Sequence, residues 1–434
     1  MHAEKIIEPT PPNEPAAEEN WVSKLGPGLI AGAADDDPSG IATYSQAGAQ
    51  FGFGMLWTLV ITYPLMVGIQ IVSARIGRVT GHGLATNIRR HYPVWLLYPL
   101  VGLLLLANTI NIAADVAAMG DAMKLVAGGP AQLYAVGFGL ISVLLQVFIP
   151  YSRYVSVLKW LTLALLAYVA TVFVVHIPWE RVAKEAIVLP SLPWKPAFIT
   201  TIVAVFGTTI SPYLFFWQAS QEVEELRADD NAHPLKKAPR EARAGFTRIK
   251  LDTFVGMGFS NLVAFFIMLT TAVTLHMHGV TEIETSAQAA TALRPIAGDF
   301  AFMLFALGII GTGMLAIPVL AGSAAYAMAG AFKWKNSLEH EPKVAPKFYG
   351  IIVVATLAGV GLVFAPIDPI KALYWSAVIN GVISIPIMAV MMLMASRVDV
   401  MGRLVITTRL KVLGWMCTAV MAAAVTAMFV TNLA

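Results

Sequence analysis

Ala33-Ala34-Asp35-Asp36-Asp37-Pro38-Ser39-Gly40 sets three carboxylates, a proline and a glycine deep inside an apolar run. A second stretch, Gly207-Thr208-Thr209-Ile210-Ser211-Pro212-Tyr213, interrupts another apolar run with the same Gly/Pro chemistry. Proline removes an amide donor and clashes with the carbonyl one turn back. A charge at mid-bilayer costs at least ~2.5 kcal/mol, so it survives only where it faces a cavity or a cation. Unwound backbone at that depth is tolerated only where it lines a cavity. The surrounding composition establishes that the setting is a membrane. The chain has 434 residues, 57% hydrophobic and 13% charged, with a mean hydropathy of +0.71. A soluble domain carries about 25% charged residues. At ~20 residues per span, this length holds about ten to twelve membrane helices. A secreted, disordered or disulfide-built protein is excluded. The one cysteine, Cys417, lies in an apolar stretch and reads as inert packing.

Apolar runs bounded by charges and Gly/Pro clusters give eleven spans, near 24–48, 55–74, 94–122, 131–149, 155–176, 199–224, 248–275, 299–330, 348–366, 371–395 and 411–432. The two interrupted spans are the first and the sixth. Matching breaks in two five-helix halves point to the substrate site of an inverted-repeat transporter. Repeat one is then about 24–176, repeat two about 199–395, and 411–432 is an additional helix. Residues 21–434 form this transporter domain. Residues 1–20, with five glutamates and four prolines, read as a disordered tail and not as a signal peptide. With the N-terminus cytoplasmic, the inner segments hold 23 of the 29 Lys and Arg residues. The outer ones hold only Lys124, Arg181, Lys184, Lys195, Arg294 and Lys371. That asymmetry predicts a multi-pass cell-membrane protein, N-terminus in and C-terminus out.

Gly26-Pro27-Gly28, Asp37-Pro38-Ser39-Gly40 and Gln46-Ala47-Gly48-Ala49-Gln50-Phe51-Gly52 resemble the first helix of the Nramp divalent-metal transporters. That family carries Asp-Pro-Gly-Asn followed by a similar Gln-Ala-Gly stretch, and the similarity runs from about residue 22 to 395. The resemblance implies an all-α, leucine-transporter-like fold with a divalent cation bound between broken helices 1 and 6. It carries Asp37 over as a ligand, with backbone carbonyls at the breaks, such as that of Ala34. The hydroxyls of Thr208 and Ser211 and the polar side chain of Asn380 join them as candidates. For Asn380, interhelical packing is the alternative.

The departures from the family pattern are informative. The asparagine position is Gly40, the methionine position is Ser211 and the histidine position is Tyr213. A thioether favours transition metals, whereas carboxylate, carbonyl, hydroxyl and water suit magnesium, calcium and manganese. Serine and glycine remove the soft ligand and are expected to widen the site for an ion that keeps its waters. This pattern is similar to the Nramp-related magnesium transporters. Family members also carry carboxylates on the third helix for proton movement. Here Asp115 is retained, while Asn108 and Ala118 stand at the two glutamate positions. A relay needs successive titratable groups, so Asp115 and Asn108 are left as pathway candidates without proton coupling.

Other polar groups read more plainly. Asn111 is assigned to packing, Glu222, Glu224 and Glu225 to a solvated helix end, and His276 and His278 to an interfacial location. Asp35 and Asp36 lie on other faces of their turn and are expected to matter less than Asp37. Gly308-Ile309-Ile310-Gly311-Thr312-Gly313 lies within an apolar span with no strand before it, so close helix packing replaces a phosphate-loop reading. The basic run Lys236 to Lys250 is topology, not nucleic-acid binding. No catalytic arrangement is visible, so neither an enzyme nor a cofactor is expected. The partners are Mg2+ or Mn2+ and the bilayer, with no nucleic acid; a monomer is compatible with the sequence, which leaves the oligomeric state open. The leading expectation is transport of magnesium, with manganese accepted. Its rivals are a proton-driven manganese or iron importer, a sodium-coupled carrier of an organic solute, and a non-transporting membrane receptor or scaffold.

Overall fold

The computed structural model describes residues 31–32, 34–149, 161–187, 195–229, 231–338 and 341–433. The tail 1–20, Gly26-Pro27-Gly28, Ala33 and the start of the fifth span, with Arg153 and Lys159, lie outside the described residues. Among those described there is no strand. In lipid every backbone amide must be satisfied within its own segment, and an unbroken helix does this. The helices that matter are α1 (Pro38–Phe51), α2 (Leu56–Thr80), α3 (Leu84–His91), α4 (Val94–Ala127), α5 (Ala131–Phe148), α6 (Leu166–Val174) and α7 (Trp179–Ile187). They continue with α8 (Pro196–Thr209), α9 (Pro212–Ala228), α10 (Ala242–Thr274), α11 (Ala301–Phe332), α12 (Pro346–Leu362), α13 (Pro369–Ala395) and α14 (Thr408–Leu433). Each of the eleven expected spans coincides with helix over most of its described part. The polar pieces α3 and α7 fall between spans, and α7 carries the i,i+4 pairs Arg181–Glu185 and Lys184–Glu180 at 2.7 and 2.9 Å.

Both expected breaks are present. Asp36 is a bend and Asp37 is extended before α1, while Ile210 and Ser211 leave the helical region between α8 and α9. Pro38 and Pro212 restart the chain at the first helical turn, where a missing amide costs nothing. α1 and α8 have 14 residues each, or ~21 Å at 1.5 Å per residue. A bilayer core is ~30 Å thick, so each half-helix ends inside it.

The packing places the two breaks side by side. α1 lies on α10 and α13, α8 on α13, α9 on α2 and α11, and α4 on α11 and α13. The most apolar stretch of α8–α9 is wholly enclosed by other helices. Gly207 permits this: a Cβ there would collide with the Ala377 carbonyl and with Gly381, so α8 and α13 meet backbone to backbone. Small residues serve the same purpose in α11, where a Cβ on Gly322 would lie 2.8 Å from the Trp217 ring. Close packing thus accounts for Gly313, Gly322 and Gly330 of α11.

Candidate functional site

Asp37 opens α1 as its N-cap. Its Oδ1 accepts the Gly40 amide at 2.8 Å and the Ser39 hydroxyl at 2.5 Å. Asp followed by Pro is a strong helix start, and the positive end of the helix favours the carboxylate. The other oxygen, Oδ2, accepts from Asn111 Nδ2 of α4 at 3.0 Å and from Tyr213 Oη of α9 at 3.4 Å. Tyr213 also donates to the Ala34 carbonyl at 3.1 Å. A single hydroxyl therefore ties the first break to the second.

Ser211, extended at the second break, donates back to the carbonyls of Gly207 and Thr208 at 2.8 and 2.9 Å. Its lone pairs remain available to a cation or its waters. Thr208 Oγ1 faces Gly40. A Cβ built on Gly40 would lie 3.3 Å from Thr208 Oγ1, from the Asp35 carbonyl and from the Tyr44 ring. This corrects the expectation of a widened site: the volume freed by glycine is filled by Thr208 and Tyr44. Asn380 of α13 is 1% exposed, and neither of its amide atoms has a hydrogen-bond partner. Asp115 of α4 is fully buried, with both carboxylate oxygens unpartnered, and lies near enough to Asp37 for their charges to interact. Unpartnered buried oxygens of this kind call for water or a cation.

Asn108 donates its amide to the Leu320 carbonyl and to Ser323 Oγ, both at 2.8 Å, and pins α4 to α11, while its Oδ1 is buried without a partner. Two assignments change. Asn111, assigned to packing, instead holds Asp37. Its position one turn before Asp115 on the same helix face was the available signal. The glutamates ending α9 are not a solvated helix end. Glu222 is fully buried and paired with Arg248, while Glu225 meets Arg248 at 2.9 Å and Arg78 at 3.6 Å. Glu222 is enclosed beside Arg248 of α10, whereas Glu225 is half-buried and reaches both arginines from the edge. Asp35 and Asp36 are likewise enclosed, and both accept from Ser260 Oγ of α10, at 2.7 and 3.1 Å.

Every candidate ligand is closed to solvent. At the end of the bundle away from the basic loops, a cavity of about 410 Å³ is lined by Gln46, Gln50, Glu282, Lys371 and Tyr374. Tyr374 on its wall is hydrogen-bonded to Thr201 at 2.8 Å. His276, one of the two interfacial histidines, meets the Ala49 carbonyl at 2.7 Å.

Asn111→Ala is expected to raise the KM for cation uptake about tenfold, the size of one hydrogen bond to a charged group, with a smaller effect on maximal rate. Concentration dependence of uptake in proteoliposomes checks this.

Relatives of known type share this fold. The family model described as Nramp, natural resistance-associated macrophage protein-like, matches residues 28–431. The divalent metal cation transporter MntH of Klebsiella pneumoniae (strain 342) is 28% identical over 417 residues, covering 93% of both chains. The crystal structure of the Eremococcus coleocola manganese transporter in complex with an aromatic bis-isothiourea substituted compound has a TM-score of 0.74 at 17% identity. It covers 96% of this chain and 89% of that one. Mhp1, a nucleobase-cation-symport-1 family transporter, has a TM-score of 0.58 at 14% identity, over 94% and 92% of the two chains. Likeness at these identities establishes the fold alone, which is leucine-transporter-like. The match over nearly the whole length establishes more: this chain belongs to the Nramp family.

Proposed function

We propose that this protein carries hard divalent cations across the membrane, magnesium foremost and manganese also, with the ion partly hydrated and without stoichiometric proton entry. The strongest support is the all-oxygen donor set at the two breaks. Asp37 Oδ2 and the Ala34 carbonyl meet at the Tyr213 hydroxyl, Thr208 Oγ1 faces Gly40, and Ser211 presents a hydroxyl at the second break where the family pattern has a thioether. Oxygen donors without sulfur suit magnesium and manganese. The unpartnered oxygens of Asp115 and Asn380 suit the outer waters of a hydrated ion. The Lys and Arg distribution supports an N-terminus-in orientation, which makes the cavity beside Gln46 and Tyr374 the outer entrance. The site performs no bond chemistry, and the cation is its cargo.

A second reading, proton-driven manganese import, draws on the manganese transport of its relatives and on the retained Asp115. Proton flux separates the two. A pH-sensitive dye inside proteoliposomes is expected to stay flat while magnesium or manganese enters. Acidification that scales with uptake would transfer support to the second reading.

A further inference from the structure

At the basic end of the bundle, a cavity of about 260 Å³ opens between α3, the tail of α9 and the end of α11. Arg89, Arg227, Lys333 and His82 line it, with Glu224 as the acidic counterpart. Glu224 is matched to Arg227 at 3.0 Å, and Arg227 also donates to the Asn336 carbonyl at 2.6 Å. Among the described residues, Arg89 and Lys333 have no ion pair, and the Nε of Arg89 is buried without a partner. Burial first, then the charges of Arg90, Arg227 and Lys237, hold the His82 ring below the ordinary histidine range.

The backbone adds to this field. Gly83 begins α3 with no side-chain cap, so the positive end of that helix faces the same cavity. Lys333 ends α11 with φ +60°, the one non-glycine residue with positive φ among those described. Three rings lead to the rim. Tyr98 stacks on Phe332 with centroids 5.4 Å apart, and Phe332 on Trp334 at 5.2 Å. Tyr98 and Phe332 are exposed on the outside of the bundle, as in an interfacial aromatic belt. The cavity thus sits at headgroup depth, with room for a phosphate group and a few waters at ~30 Å³ per water.

We infer that this cavity is a binding site for a phosphate group, gripped by Arg89 and Lys333 and supplied by a membrane lipid or by the aqueous phase. A phosphate there bridges α3 to α11 across the tail of the broken helix α9. It therefore biases the same half-helix that must move if the transport site is to open at this end. The inference does not depend on which cation is carried.

The test uses the purified full-length protein, with Arg89→Gln and Lys333→Gly as variants. Glycine accepts the positive φ without strain, so Lys333→Gly removes the charge while keeping the fold. If the phosphate is free, calorimetry with inorganic phosphate in detergent gives a saturable signal that each variant weakens ~10-fold, the size of one charge-assisted hydrogen bond. If a lipid carries it, phosphatidylglycerol is retained through delipidation by the unmodified protein and less by either variant, as read by native mass spectrometry. Either result supports the site. Absence of phosphate heat together with equal phosphatidylglycerol retention in all three proteins would overturn it.

Discussion

Asp37→Ala is expected to abolish magnesium and manganese uptake, by at least ~100-fold, because it removes the one charged group proposed to touch the ion at the two breaks. The attraction between a cation and a carboxylate inside a low-dielectric site is worth several kcal/mol, and each 1.4 kcal/mol is a factor of ten. The same change also removes an N-cap, at a cost of ~1 kcal/mol, and strands the Asn111 donor. Asp37→Asn separates these effects. Asparagine caps a helix as well as aspartate does but carries no charge, so this protein should fold normally and still fail to transport. Uptake in liposomes beside a thermal unfolding profile of both variants checks it. Normal uptake by a folded Asp37→Ala protein would remove the site from this position.

The largest stability effect is expected at the basic end. Arg248→Ala leaves Glu222, whose side chain is fully enclosed, without its guanidinium partner. Removing one member of a buried ion pair costs about 3–5 kcal/mol. The midpoint of thermal unfolding should fall by several degrees. Replacing both partners by methionine should recover most of the loss, since a well-packed apolar pair often matches a buried ionic one. An unchanged midpoint in Arg248→Ala would mean that the pair is water-filled and carries no stability.

The fold was legible because its signals are local. Apolar runs of bilayer length, Asp37-Pro38 and Ser211-Pro212 follow from helix chemistry alone, and the spans fell on helices. Side-chain partnership was not legible, because it depends on which helix faces which. The spacing of Asn111 one turn before Asp115 marks its helix face, but not that its partner there is Asp37, 74 residues away, rather than a neighbouring helix as for Asn108. The buried state of Glu222 depends on Arg248, 26 positions on. Gly40 shows a subtler limit. Removing a side chain predicts space, but Tyr44 and Thr208 occupy it. A consequence follows for design: Gly40→Asn has to displace those neighbours, so it is expected to disturb the site before it restores a ligand. Ser211→Met leaves that crowded spot untouched and is the cleaner way to add a thioether.

Whether oxygen donors hold a hard, hydrated ion is decided most directly by competition. Manganese uptake into proteoliposomes by the unmodified protein is measured against increasing magnesium and, separately, cadmium. A site with no thioether gives the softer metal no advantage, so magnesium should inhibit at least as well as cadmium. Inhibition by cadmium at far lower concentration than magnesium would contradict the hard-ion assignment and identify a site that selects soft transition metals.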